Sequence, residues 1–356
     1  MCIALLTTAH PDYALIIIDN RDEFILRPTT RPHWWNSQHQ EILSSRDLER
    51  EEQGTWLGIT RNGNLAVLTN YRETDTHDKA HPVSGLKSRG RIVTAWLANP
   101  ENESTEQFVH RLFEGDGVHG VGGFSLVCGK LRRTGEGKGQ NLKPLAIISN
   151  RSGSPDAVPW IAGNRGEVYG LSNTLFEDPE TWPKVQMGKE VTLKAVKHAV
   201  EAGQGEDELV RSLFTVLDID TLPPRKGSED FEKYMYQLRK SIFIPAISYP
   251  VTPQDLPKAA QLAAAVPNNP ATPDSSGDTI QSRPLEAVLK QEKSLEPKTS
   301  SDMTIYGTQR QTIVLVDWEG RVIFTERSLW DAEGNPIERG TGDMKFEFQI
   351  EGWNRE

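Results

Sequence analysis

A chain of 356 residues, 36% apolar and 25% charged, is long enough to bury a sizeable core and has the composition of an ordinary soluble globular protein. Its formal charge of −10, from 40 basic against 50 acidic residues, argues against nucleic acid or anionic lipid as the main partner, since both demand a basic footprint. The two cysteines, Cys2 and Cys128, make neither a disulfide framework nor a four-ligand zinc set, which points to a reducing compartment without a metal or other cofactor.

In chain order, Ile3 to Thr8 and Tyr13 to Asp19 are apolar runs joined by His10-Pro11-Asp12, the pattern of a β-hairpin. The same three residues interrupt any signal-peptide core. No stretch approaches the roughly 20 apolar residues of a membrane span, so a cytoplasmic protein with no transmembrane segment is expected. Thr55 to Thr60 and Leu65 to Thr69 flank Asn62-Gly63, which predicts a hairpin with a type I′ turn. Helical periodicity marks Ile92 to Ala98 and Thr105 to Phe113. Phe124 to Cys128 and Leu145 to Ser149 form another strand pair across a glycine-rich loop, and Glu167 to Ser172 is a further strand. Val191 to Ala202 and Asp207 to Leu217 return to helical spacing.

A seam follows. Residues 250–303 hold eight prolines and no aromatic residue, so the segment cannot bury enough apolar area to offset its ordering entropy and reads as a disordered insertion. Within it, Leu285 to Leu295 has the makings of a short helix. Strand character resumes at Tyr306, and Thr312 to Asp317 with Val322 to Thr325 flank the turn signal Glu319-Gly320. One domain made of 1–249 together with 304–356 is expected, its last strands completing a sheet begun at the N-terminus. Hairpins interleaved with a few helices predict an α+β layered domain with mostly antiparallel sheets.

Cys2 heads the first strand. Removal of Met1 would place a thiol and a free α-amine on one residue, and an amine titrating near 7.7–8.0 can act as base for its own thiol. Taken alone, Cys2 reads more simply as a small residue before a strand. The rest of the constellation changes that. Asn20-Arg21-Asp22-Glu23 follows the second strand, and further blocks come in order: Arg27-Pro28, Trp34-Trp35, Arg46-Asp47-Leu48, Gly54-Thr55-Trp56-Leu57-Gly58, Leu68-Thr69-Asn70-Tyr71-Arg72, Ser88-Arg89-Gly90, Gly170-Leu171-Ser172-Asn173, Trp182-Pro183-Lys184, and Tyr306-Gly307-Thr308 ahead of Glu326-Arg327.

This order resembles the NRDE family over nearly the whole chain outside 250–303. The resemblance implies a soluble intracellular factor supporting Golgi and endoplasmic-reticulum organisation and secretion, cytoplasmic or associated with the Golgi or mitochondria. It would handle a small apolar ligand such as a lipid, acyl-CoA or haem, and touch Golgi or endoplasmic-reticulum membranes peripherally. The family in turn resembles the cysteine-type N-terminal nucleophile hydrolases, the group of penicillin V acylase and bile salt hydrolase, which implies a four-layer αββα sandwich.

Carried over residue by residue, that second resemblance makes Cys2 the nucleophile and Asp22 the acid that orients the α-amine. Asn70 or Tyr71 becomes an oxyanion donor through a backbone N–H, and Asn173 the other through its amide. Asn20, Arg21, Glu23 and Tyr71 are expected to line the site. The hydrolases carry an arginine three residues before the aspartate, where this chain has Asp19, with Arg21 one residue before instead. Their late arginine has Arg310 as its nearest counterpart. Three functions remain open: a trafficking factor, a cysteine amidase or acyltransferase on linear amide or thioester bonds, and a binder that keeps the pocket without the chemistry.

Other features are weaker. His77 and His81 have metal-ligand spacing but no third ligand. Gly135 to Gly139 lacks the phosphate-loop spacing and reads as a hairpin tip. Trp34, Trp35, Trp56, Trp160 and Trp182 either line an apolar cleft or fill the core, and Cys128 reads as a buried small hydrophobe.

Overall fold

The computed structural model describes residues 1–38, 40–72, 88–115, 121–135, 137–176, 178, 182–224, 231–250 and 303–354. The expectations for His77, His81 and most of 250–303 lie outside these residues. The chain divides into two compact units, Met1–Ile247 with Ile305–Glu356, and Ser248–Thr304. The helices of the described residues all fall in the first unit.

The strands are β1 Ile3–Thr7, β2 Tyr13–Phe24, β3 His33–Ser37, β4 Gln40–Ser44, β5 Leu57–Thr60, β6 Asn64–Asn70, β7 Phe124–Lys130, β8 Arg133–Thr134, β9 Asn141–Leu142, β10 Leu145–Ser149, β11 Trp160–Ile161, β12 Val168–Leu171, β13 Ile247–Pro250, β14 Met303–Asp317, β15 Arg321–Ser328 and β16 Asp343–Gln349. The helices are α1 Gly90–Leu97, α2 Thr105–Glu114, α3 Pro183–Glu201, α4 Glu206–Leu217 and α5 Phe231–Gln237.

One sheet runs β12-β1-β2-β14-β15-β16 and the other β11-β10-β7-β6-β5-β4-β3, every described pairing antiparallel. The late strand β14 lies beside β2, with Ile313 opposite Ile18, so the last strands complete the sheet begun at the N-terminus.

Strand alternation sorts the apolar side chains into layers. Ala4, Leu6, Leu15, Ile17 and Val314 of the first sheet meet Ile59, Leu65, Val67 and Val127 of the second in an inter-sheet core. Ile3, Leu5, Ile16, Ile18 and Ile313 point the other way, onto Val196, Leu213 and Phe214 of α3 and α4. Ala66, Leu68, Leu126 and Cys128 cover Trp96 of α1 and Phe108 of α2. Helices, sheet, sheet and helices give four layers, an αββα sandwich.

The hairpin β5–β6 departs from expectation. Its loop is three residues, Arg61 to Gly63, and only Gly63 has positive φ, at 74°. The Gly63 N–H bonds the Thr60 carbonyl at 2.9 Å. A type I′ turn needs positive φ at both central residues. A tight turn closed by a left-handed glycine needs it once, and asparagine need not bear the strain.

No helix among the described residues is long and apolar enough to cross a membrane.

Candidate active site

Cys2 stands one residue ahead of β1 and is partly exposed. Continuing the strand's alternation puts its side chain with Ala4 and Leu6, on the inter-sheet face. Its sulfur lies 3.7 Å from the Asp22 carbonyl oxygen. Extending the β1–β12 register, in which Ala4 faces Leu171, sets Cys2 opposite Asn173. Ser172 fixes that edge, its hydroxyl donating to the Cys2 carbonyl at 2.6 Å.

Asp22 faces the helix side. Its Oδ1 accepts from the Thr308 hydroxyl at 2.7 Å, and its Oδ2 lies 3.4 Å from the Met1 α-amine and 3.8 Å from Lys184 Nζ. The Tyr306 hydroxyl donates to the Asp22 carbonyl at 3.1 Å and accepts from the Met1 amine, while Lys184 Nζ donates to the Met1 carbonyl. Met1, Asp22 and Lys184 are all buried. Burial lowers the α-amine pKa, with Asp22 opposing and Lys184 adding to the drop. Burial also pushes the Cys2 thiol up, with the α-amine working against it, and drives Tyr306 well above its ordinary range.

Asn173 donates through Nδ2 to the Asn70 carbonyl at 2.6 Å, and its Oδ1 is buried without a partner. Flipping the amide would set two acceptors against each other, so this orientation stands and one N–H of Nδ2 stays unspent by that bond. Of the two expected backbone donors, Asn70 and Tyr71, the second is already engaged. Its N–H is committed to the Gly123 carbonyl at 2.8 Å, which leaves Asn70 as the strand-end residue for a backbone oxyanion donor.

The remaining predicted residues are spread over both faces of β2. Asn20 is fully buried on the helix side, where its amide bonds the carbonyls of Leu217 at 2.8 Å and Ile242 at 2.9 Å; it ties layers together and does not line the site around Cys2. Arg21 lies on the inter-sheet face, stacked 4.3 Å over Trp56, bonded to Gln309 and 3.5 Å from Asp47. Glu23 pairs with Arg27 at 3.5 Å. Arg310 sits opposite Arg21 across a β-bulge, bonded to Thr29 at 3.0 Å and 3.8 Å from Glu326, and burial lowers its pKa to about 10. Asp19 stands three residues before Asp22, where the resemblance implies an arginine. Burial raises its pKa far above the carboxylate range, with Asp22 adding to the rise. The buried cation beside Asp22 comes instead from Lys184, which the sequence offered only inside the Trp182-Pro183-Lys184 block.

No group of three or more potential metal ligands occurs among the described residues. Of the tryptophans, Trp34 and Trp56 pack on the inter-sheet core, Trp35 on the α1–α2 layer and Trp182 in the α3–α4 layer, while Trp160 is exposed. Cys128 is fully buried. Gly135 lies at the tip of the β8–β9 hairpin with φ of 72°. Two surface grooves of 320 and 520 Å³ lie at the β11–β12 edge around Tyr169 and Phe176, and neither is lined by Cys2, Asp22 or Asn173.

The family model for Transport and Golgi organisation 2 matches residues 1–331. The chain belongs to that family. It is 30% identical over 340 residues to the human Transport and Golgi organization protein 2 homolog, covering 95% of this chain and 94% of the relative. The Drosophila melanogaster Transport and Golgi organization protein 2 is 27% identical over 194 residues, 53% of this chain and 62% of that one. Among solved structures, a Caenorhabditis elegans N-acylethanolamine-hydrolyzing acid amidase ortholog has a TM-score of 0.36 at 15% identity, covering 63% of this chain and 88% of its own. Penicillin V acylase from Agrobacterium tumefaciens has 0.32 at 11%, covering 98% and 86%. Both likenesses are distant, and nothing about substrate follows from them.

Proposed function

We propose that this member of the Transport and Golgi organisation 2 family serves Golgi-related transport through acyl-transfer chemistry at Cys2, acting on a linear amide or thioester of an apolar acyl group. The observation that carries the reading is the cradle built around the chain's first residues. A buried carboxylate, a buried lysine and a half-buried tyrosine converge on the amine and carbonyl of the residue before Cys2, at the head of a core strand. Burying charges costs several kcal/mol per ion unless they are paired, and a fold needing only to anchor a terminus has cheaper means.

Cutting the Met1–Cys2 peptide bond would free the Cys2 α-amine. The amine takes the thiol proton as the sulfur attacks the carbonyl carbon. Asn173 Nδ2 and the Asn70 N–H are the donors for the oxyanion. The ammonium returns its proton to the leaving amine or thiol, and water or a second acceptor then releases the acyl group from sulfur.

The test is rescue of cells lacking the protein. Asp22→Ala and Cys2→Ala are each expected to fail while remaining folded. Full rescue by Cys2→Ala would remove the chemistry and leave a binding role for the same site, with lipid, acyl-CoA or haem as ligands to assay.

A further inference from the structure

Lys184 is the buried charge that the acyl-transfer chemistry leaves unused. It is fully buried in the first turn of α3, behind Pro183, where the helix dipole disfavours a cation. Burial drives its pKa down. A helix start needs no lysine there, so what the side chain touches explains it better. Its Nζ donates to the Met1 carbonyl and lies 3.8 Å from Asp22 Oδ2. That carbonyl oxygen and the backbone nitrogen of Cys2 share one carbon and lie about 2.2 Å apart. Nζ is therefore held within about 5 Å of the atom that becomes the α-amine when the Met1–Cys2 bond is cut.

We propose that Lys184 is a positioning residue that keeps the Cys2 α-amine neutral, by completing an ion pair with Asp22 that leaves no room for a second ammonium. The proposal rests on the acyl-transfer reading and gives that site its base. Asp22 from β2, Tyr306 from β14, Lys184 from α3 and the Cys2 thiol surround the point. Asp19, Arg21 and Glu23 stand along β2, and Arg72 follows β6. Burial favours the protonated forms of Tyr306, Asp19 and the thiol. Arg21 has Asp47 as partner and Glu23 has Arg27. Arg72 donates to the Met1 sulfur at 3.2 Å and the Met235 carbonyl at 3.4 Å, and adds positive charge.

Asp22 is thus the anion that faces the amine. Alone, a carboxylate so close would hold the amine as ammonium, useless as a base. With Lys184 already paired to Asp22, an ammonium would put uncompensated charge beside two buried charges. The amine of Met1 already shows that direction, lowered by burial and by Lys184 and raised by Asp22.

The experiment uses the full chain and needs no substrate. Intact mass first shows whether Cys2 is the terminal residue; purified, functional protein retaining Met1 overturns the proposal. With the thiol first capped by methyl methanethiosulfonate, the rate of Cys2 α-amine acetylation by trace acetic anhydride, which acts on neutral amine only, is then followed by mass on the N-terminal peptide from about pH 5 to about pH 10, the range that spans amine titration. Lys184→Met is expected to raise the midpoint by about one pH unit or more, a tenfold loss of neutral amine below it. Lys184→Arg should keep the midpoint, and Asp22→Asn should lower it. A folded Lys184→Met with an unmoved midpoint overturns the proposal. Should that variant not fold, Asp22→Asn decides, and a midpoint that rises or stays overturns it. Shifts as expected, together with full cellular rescue by Cys2→Ala, would sink the acyl-transfer reading while leaving the coupling of Lys184 to the amine in place.

Discussion

Replacing Asn20 by alanine tests what the first letter of the NRDE string does. Its side chain is fully buried, and its amide holds two carbonyls, that of Leu217 in the last turn of α4 at 2.8 Å and that of Ile242 at 2.9 Å. The last carbonyls of a helix have no partner within it, so Asn20 does for α4 what a cap does from outside. A typical buried hydrogen bond contributes about 1 kcal/mol net, and an orphaned buried carbonyl costs about 1–3 kcal/mol. Two bonds lost together, with partial relaxation, put Asn20→Ala at about 3–5 kcal/mol, a large part of the 5–15 kcal/mol typical of a domain. Urea denaturation followed by tryptophan fluorescence measures it, with Cys2 alkylation read at low urea where the variant remains native. Stability should fall while the alkylation rate of the native fraction stays near wild type. A loss below about 1 kcal/mol, or a tenfold change in Cys2 reactivity with the fold intact, would refute the assignment of Asn20 to the scaffold.

The pH dependence of stability should carry the mark of Asp19. Its folded pKa lies well above the unfolded value because burial favours the protonated form. Below about pH 4 both states hold the proton, and the group costs nothing. As pH rises toward the folded pKa, the unfolded state ionises first and stability drains away, by up to about 1.4 kcal/mol per pH unit. Asp19→Asn should therefore raise the melting temperature at pH 7 by more than at pH 4, and equal shifts at both pH values would contradict this. Thiol labelling of the native protein should modify Cys2 and spare Cys128, which is fully buried and whose pKa burial pushes far up, while labelling in urea should modify both. Native labelling of Cys128 at a comparable rate would mean that the α1–α2 layer opens easily.

The sandwich was legible in the sequence where two signals coincided, an apolar run and a turn or loop beside it. The β1–β2, β7–β10 and β14–β15 pairs had both. Strands β3 and β4 were missed because His33–Ser37 and Gln40–Ser44 mix polar residues without a clean apolar face. Strand β16 escaped because it is a half-exposed edge whose alternating Lys345, Glu347 and Gln349 read as surface. The start of α3 was hidden by Pro183 and Gly188, which lower helical signal without preventing a helix packed on β1 and β12. At the site, Cys2, Asp22 and Asn173 were visible through the resemblance. Lys184 was not, because a lysine is one of 40 basic residues until the fold carries it 182 positions back to Cys2. The choice between Asn70 and Tyr71 stayed open because a sequence does not say which backbone N–H a neighbouring strand has already taken.

The NRDE string itself is best understood as two interleaved sets on one strand. Side chains alternate along β2, so Asn20 and Asp22 face the helices while Arg21 faces the other sheet. Asn20 holds α4, Asp22 holds β14 through Thr308 and α3 through Lys184, Arg21 holds Gln309 and Asp47, and Glu23 holds Arg27. A one-residue slip of β2 would exchange every one of these partners at once, so the four letters fix the register of the central strand as much as they furnish a site. Loss of function on mutating the string is therefore no evidence of catalysis by itself. Scaffold and chemistry separate at the pair on the helix side. Removing Asn20 costs stability, removing Asp22 strips the amine of its carboxylate, and only the second change moves the titration of Cys2.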